Sequence, residues 1–362
     1  MADYKTSTLS RRDFLKASGA GAISLLMGDL LMNQAKTTAQ ATPLGPVSEK
    51  RIDFHAHPML PAYSEGLKRL GIDPAKEEGF PLPKWTAEKH LEFMAAAAID
   101  FAILSMPSPH TYNGDEKRSC EVVRSVNEAM AELCRKHPDR FSFAATLPLP
   151  SIDGSLREIE YAMDALGAVG VKVASNSYGV YLGDHILDEV FAELNSRDAL
   201  IIMHPSPARS LPRKNVITGG VMALFEYPAD TTRAVLNLLA NGTLTRYGNL
   251  RMVVPHCGSF LPYMKQRAKG MFQLLAAMNM METVDIEAGL SRLYFDLAGD
   301  PMPEEMDMLL KIVSIDQLVY GSDFPYVLPD ILLKKKAALD EALRDRGQAT
   351  KIYVENAKKL LS

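Results

Sequence analysis

The stretch Arg51-Ile52-Asp53-Phe54-His55-Ala56-His57-Pro58 places two imidazoles two residues apart at the end of a short apolar run. Side chains alternate across a β-strand, so His55 and His57 share one face. On that alternation Ile52, Phe54 and Ala56 face the other way, toward covering helices. Two imidazoles side by side at a strand end can grip one divalent metal. A bare His-x-His also fits two structural histidines, so the weight falls on what lies downstream.

Similar polar residues recur where later apolar runs end: Met203-His204-Pro205, Pro255-His256-Cys257-Gly258 and Gly321-Ser322-Asp323-Phe324-Pro325. Of the eight histidines, His55, His57, His204 and His256 sit at such ends. The others, His90, His110, His137 and His185, fall on expected helices or loops and read as surface or capping residues. Four histidines and one aspartate at run ends form a pattern that a single histidine does not.

The elements that must position these groups follow from periodicity. Strands are expected at Ile52–His57, Phe101–Pro107, Phe141–Leu147, Gly170–Ser175, Leu200–His204, Leu250–His256, Leu293–Leu297 and Leu318–Asp323. Helical patterns separate them at Ala87–Ala98, Cys120–Lys136, Ser155–Leu166, Asp184–Asn195, Thr231–Asn241, Leu261–Met280 and Glu304–Ile312, with Asp330–Arg344 last. Eight strand-then-helix units argue for an α/β fold of the (β/α)8 TIM-barrel type, in which active sites are built at the C-terminal ends of strands. An open doubly wound sheet is the alternative, but no Gly-rich nucleotide turn follows the first strand. The irregular segment Met59–Trp85 and the connection Ser206–Asp230 follow strands one and five, and should cover the barrel mouth as lid or substrate-binding loops. Trp85 reads as helix packing.

The chain has 362 residues, is 47% hydrophobic and carries a formal charge of −4. It has ample core for one large barrel and no strong field for nucleic acid or an anionic membrane. Cys120, Cys134 and Cys257 show no metal spacing. A Cys120–Cys134 disulfide and ordinary buried thiols are both compatible with them. Ser10-Arg11-Arg12-Asp13-Phe14-Leu15-Lys16, the mild apolar stretch Ala17–Met32 and Ala39-Gln40-Ala41 are arranged as a twin-arginine signal peptide over residues 1–41. The apolar stretch is too short and mild for a stable membrane span. Cleavage near Thr42 would leave a mature protein of residues 42–362, periplasmic or secreted. This route moves folded proteins, so a metal can be loaded before export.

The order His-x-His, His, His, Asp at strands one, five, six and eight resembles that of the amidohydrolase superfamily. Asp53-Phe54-His55-Ala56-His57, Gly179-Val180-Tyr181-Leu182-Gly183-Asp184, Ile202-Met203-His204-Pro205, His256-Cys257-Gly258, Tyr294-Phe295-Asp296, Gly321-Ser322-Asp323-Phe324-Pro325 and Glu355-Asn356-Ala357 are similar to the aminocarboxymuconate-semialdehyde decarboxylase branch. That branch includes aromatic-acid decarboxylases of the 6-methylsalicylate and γ-resorcylate kind. The resemblance implies that His55, His57, His204 and Asp323 bind one metal, Zn2+ or another divalent ion such as Mn2+, with Fe2+ also compatible. It implies His256 and Asp323 as the acid/base pair and a homodimer as the assembly. Three imidazoles and a carboxylate suit Zn2+ and leave a position open, and an imidazole is suited to proton transfer near neutral pH.

Lys172 lies between Val171 and Val173 in strand four, which turns it inward. A buried ammonium needs a partner. The readings are a substrate-carboxylate anchor, a metal-bridging carbamate, or an ion pair with an acid such as Asp53, with the anchor and ion pair favoured by the single-metal pattern. Lys172, Tyr181 and Arg209 are candidate substrate-binding residues. Arg213 and Arg267 are further candidates, and Tyr178, Tyr263 and Phe324 are candidate pocket walls. The implied activity is non-oxidative decarboxylation of a small aromatic or enol-type carboxylic acid. The alternative is hydrolysis of a lactone, amide or ester by the same residues, and a non-catalytic binding protein is the third reading.

Overall fold

The computed structural model describes residues 50–208 and 221–362. The signal-peptide residues, Arg209 and Arg213 lie outside the described residues. Eight parallel strands form one sheet: β1 (Arg51–Ala56), β2 (Ile99–Leu104), β3 (Phe141–Thr146), β4 (Gly170–Ala174), β5 (Leu200–His204), β6 (Arg251–Val254), β7 (Leu293–Asp296) and β8 (Leu318–Val319). The chain beyond β8 closes the sheet against β1. Phe54 N donates to Tyr320 O at 3.0 Å, Asp323 N to His55 O at 2.8 Å, and His57 N to Phe324 O at 2.8 Å. Closure leaves no free sheet edge and makes a (β/α)8 barrel.

All eight expected strands are present, most within two residues of the expected bounds. The last is far shorter than Leu318–Asp323. Beyond Val319 the chain leaves β7 and meets β1 in isolated bridges, Tyr320 with Asp53 and Phe324 with Ala56, with Asp323 between them in a left-handed backbone (φ 58°). The expected loop Met59–Trp85 holds two helices, Pro61–Arg69 and Pro74–Glu77. Proline in the first turn starts each one, where its missing N–H costs nothing. The Asp73 side chain caps the second by accepting from Ala75 N. These starts are visible only locally, because neither helix is long enough to show a period.

The barrel interior is filled by Phe54, Ile103, Ala144, Leu200, Ile202, Val253 and Val319, with Ala357 and Leu360 of the C-terminal helix Asn356–Leu361 closing one end. Ile52 packs on the same cluster. The expectation that Ile52 and Phe54 face the helices is therefore corrected. β1 slips register against β2 between Asp53 and Ala56, so simple alternation does not run through the strand. Alternation does hold in β4 and β5. Val171, Val173, Ile201 and Met203 join the outer core under the helices, while Leu200 and Ile202 fill the interior. Lys172 and His204 thus lie on the inner face. A Cβ on Gly170 would sit 2.2 Å from the Leu200 carbonyl oxygen, so β4 and β5 can approach only with glycine there.

At the start of β1, Arg51 is fully buried. It pairs with Asp340 at 3.0 Å and lies 4.2 Å from the Tyr353 ring centroid. Tyr353 and Lys336 also donate to Asp340, at 2.6 Å each. This network fastens the long helix Pro329–Arg346 and the C-terminal segment to β1. Cys120, Cys134 and Cys257 are free thiols, so no Cys120–Cys134 bridge forms. Among the described residues, no helix is long and apolar enough to cross a membrane.

Candidate metal centre and active site

His55, His57 and His204 meet at the C-terminal end of the barrel, with ligand atoms all within 4.8 Å of one another. Each ring uses Nδ1 locally. His55 Nδ1 lies 2.8 Å from Asp296 Oδ2, His57 Nδ1 2.9 Å from Ser105 O, and His204 Nδ1 3.0 Å from Pro205 O. A carbonyl or carboxylate oxygen can only accept, so each Nδ1 carries the hydrogen and each Nε2 presents a lone pair. The Nε2 atoms of His55 and His57 are buried with no hydrogen-bond partner. Convergent, dry lone pairs repel one another unless a cation lies between them, and this donor arrangement is that of metal-ligating histidines held by outer acceptors. The residues therefore fit a divalent metal.

Burial lowers the His57 and His204 pKa values, the latter far below the ordinary range, with neighbouring imidazoles adding to the effect. Both stay neutral, as ligation requires. His55 is also opposed by burial, but the Asp296 carboxylate outweighs this and raises it to about 9.

Asp323 completes the group. Its Oδ1 is 3.6 Å from His55 Nε2 and 3.4 Å from His57 Nε2, and its Oδ2 is 3.7 Å from His256 Nε2. Burial opposes its ionisation, but the neighbouring imidazoles of His256, His57 and His55 hold the carboxyl well below the usual range. His256 and Asp323 have side chains 22% and 18% exposed, so this pair faces the open side. Left-handed backbone recurs here, at His256 (φ 54°), Cys257 (φ 51°), Ser259 (φ 56°) and Asp323 (φ 58°). Such conformations cost energy and persist where the surroundings impose them. Asp296 Oδ1 accepts from His256 N at 2.9 Å, so one carboxylate orients two site histidines. Gly321 permits this crowding, since a Cβ there would meet His55 Cβ at 2.8 Å and Asp296 Cβ at 3.2 Å.

Residues 52–362 match the family described as Amidohydrolase. The chain belongs to that family. It is 30% identical over 289 residues to the 6-methylsalicylic acid decarboxylase of Penicillium expansum, covering 78% of this chain and 87% of that one. A solved amidohydrolase II structure superposes with a TM-score of 0.78 at 32% identity, covering 86% of this chain and 99% of the other. The manganese-containing 5-carboxyvanillate decarboxylase of Novosphingobium aromaticivorans shares the fold, with a TM-score of 0.74 at 22% identity over 90% of this chain and 99% of that one.

In this amidohydrolase the five expected residues His55, His57, His204, His256 and Asp323 come together. Lys172 is buried and inward as expected, but Asp53 is not its partner. Asp53 Oδ1 instead accepts from the backbone N–H of His55 at 2.9 Å and of Ser322 at 3.0 Å, tying β1 to the segment after β8. Tyr181 is half-buried, and its hydroxyl is held by Asp230 at 2.5 Å and Arg233 at 2.6 Å. Phe324 stacks on Phe93 in the core, at 4.5 Å between centroids. Tyr263 and Arg267 are exposed, and Tyr178 faces Tyr112.

His90 and His110 are buried, not surface residues. His90 accepts from the Trp85 indole N–H at 3.1 Å, and His110 Nε2 lies 3.0 Å from Leu149 O. Sequence reasoning missed the orienting role of Asp296, although it ends β7 as Asp323 follows β8. It also missed Glu78, which is 2% exposed and comes from the segment over the mouth.

Proposed function

We propose that this amidohydrolase is a metal-dependent, non-oxidative decarboxylase of a small aromatic carboxylic acid bearing an oxygen beside the carboxylate. The observation that carries the reading is the convergence of three imidazoles, His55, His57 and His204, beside a carboxylate, Asp323, that meets His55 and His57 and also faces His256. The relative that acts on 6-methylsalicylic acid supports the substrate class.

His55, His57, His204 and Asp323 would hold the metal, with Zn2+ or Mn2+ suited to three imidazoles and a carboxylate. Manganese in the 5-carboxyvanillate decarboxylase is in keeping with this. Bound there, the ion would supply positive charge that favours an anionic substrate and stabilises charge developing on the ring. The chain's own residues do the rest. His256 and Asp323 carry a proton to the ring carbon that bears the carboxylate. The carbon–carbon bond then breaks, its electron pair returns to the ring, and CO2 leaves. Asp296 keeps His55 and His256 in place throughout. Tyr326 packs against His57 at 5.7 Å between centroids and is backed by Phe80 at 5.8 Å.

Residues 1–41 serve in this reading as a cleaved twin-arginine signal, supported by Arg11-Arg12 and Ala39-Gln40-Ala41, giving a periplasmic or secreted mature protein. A homodimer is proposed on family resemblance. Chelation tests the catalytic reading: CO2 release from 2-hydroxy-6-methylbenzoate should stop when the metal is stripped and return on adding Mn2+ or Zn2+. Release that survives complete stripping contradicts it.

A further inference from the structure

Glu78 and Lys172 are the charged pair that the proposed chemistry leaves unused. Glu78 follows the short helix Pro74–Glu77 over the barrel mouth, and Lys172 points inward from β4. They are 2% and 1% exposed. Among the described residues, both carboxylate oxygens of Glu78 are buried without a hydrogen-bond partner, and the Lys172 ammonium reaches only the Pro107 carbonyl, at 3.5 Å. The two groups feel each other electrostatically, yet they form no direct ion pair.

Their surroundings place them beside the metal ligands. Lys172 meets the Pro107 carbonyl, the next two carbonyls take the Tyr326 and Tyr63 hydroxyls, and Ser108 Oγ donates to Pro205 O beside His204 at 2.6 Å. The Glu78 charge raises the pKa values of both these tyrosines. Tyr326 in turn packs against His57, with ring centroids 5.7 Å apart. Tyr326 and Tyr63 spend their hydroxyl hydrogens on Ser108 O at 3.2 Å and Pro109 O at 2.8 Å, so neither satisfies Glu78. Glu78 is held in place through its backbone, whose carbonyl accepts from Met222 N at 3.3 Å.

A buried polar group without a partner costs about 1–3 kcal/mol, and more when charged. An ionised carboxylate only accepts and an ammonium only donates, and a hydroxyl bound between the two favours both charged forms over the unliganded, largely neutral Glu78. A hydroxyl does both through one oxygen, and so satisfies the two together. We propose that Glu78 and Lys172 form a ring-hydroxyl subsite, so that the preferred substrate is a benzoate with a second phenolic hydroxyl, away from the edge facing the histidines. The hydroxyl donates to Glu78 and accepts from Lys172. This rests on the aromatic-acid reading above and narrows it. A site built to hydrogen-bond a hydroxyl discriminates strongly against the analogue lacking it, because the protein groups are then left unpaired.

The test uses the manganese-loaded full chain, with 2-hydroxybenzoate and the 2,3-, 2,4-, 2,5- and 2,6-dihydroxybenzoates. Calorimetry reads affinity, and CO2 release is followed in parallel. At least one dihydroxybenzoate should bind roughly tenfold tighter than 2-hydroxybenzoate. The double variant Glu78→Met/Lys172→Met removes both polar heads without stranding either charge, and should erase that ratio. Equal binding of all five acids by the unmodified protein overturns the subsite without any variant having to fold. So does a preference that survives in a folded double variant. A preference that the double variant erases, with no CO2 from any acid, upholds the subsite and rejects decarboxylation. CO2 release without preference does the reverse.

Discussion

Asp296 Oδ2 lies 2.8 Å from His55 Nδ1, while its Oδ1 accepts the backbone N–H groups of His256 at 2.9 Å and Ala298 at 3.1 Å. One buried carboxylate thus fixes the tautomer of a metal-site histidine and the position of the proton-carrying histidine. Outer partners of this kind are worth about 10–100-fold in metal affinity. The Asp296→Asn variant, which keeps the shape and loses the charge, should weaken metal binding by that factor in a chelator-competition titration. Unchanged affinity would show that Asp296 does not govern His55.

Asp323→Asn separates catalysis from binding. Among the described residues, Asp323 is the one carboxylate that touches His55, His57 and His256. Turnover should fall by roughly 10²–10⁴-fold, the usual worth of a placed proton-transfer group. Binding of 2-hydroxybenzoate, measured by calorimetry, should survive. Persistent turnover would remove Asp323 from the mechanism.

Burial pushes the Glu78 carboxyl up to about 8 from an ordinary value of 4.5, with Glu77 adding to the shift and Lys172 opposing it. Between those values the folded chain binds more protons than the unfolded chain. Stability from this group is therefore present at acid pH and is lost as pH rises through that window. Glu78→Gln lacks the loss. Its stability relative to the unmodified protein should climb from about pH 5 to about pH 7.5, by up to about 1.4 kcal/mol per unit. Denaturant unfolding at several pH values reads this directly, and a pH-independent difference would contradict it.

The opposite end of the barrel has its own test. Asp340→Ala leaves the Arg51 guanidinium buried without its carboxylate. Breaking such a pair costs about 3–5 kcal/mol. Unfolding should shift accordingly, while metal affinity stays unchanged. A loss under 1 kcal/mol would mean that the Tyr353 and Tyr320 rings alone stabilise Arg51.

The barrel and its five central groups were legible because each sits where an apolar run ends, and strand ends are the positions a barrel brings together. Lys172 was legible as inward because Val171 and Val173 flank it in a regular strand. Ile52 and Phe54 were misread for the converse reason, since a register slip between Asp53 and Ala56 is invisible in a pattern of types. Glu78 left no signal. It lies in a segment without period, and its burial depends on how that segment folds over the mouth. His90 and His110 were hidden likewise, because their donor and acceptor partners, Trp85 and Leu149, are set by tertiary packing.

The central claim is that this site removes CO2 from an aromatic acid by placing a proton on the ring. The most direct measurement is product analysis by NMR in deuterium oxide, with carboxyl-labelled 2-hydroxy-6-methylbenzoate, a dihydroxybenzoate and simple lactones as substrates for the metal-loaded protein. The account predicts labelled CO2 and a phenol carrying one deuterium at the carbon that lost the carboxylate. Intact aromatic acids beside an opened lactone would contradict it and assign the same histidines to hydrolysis.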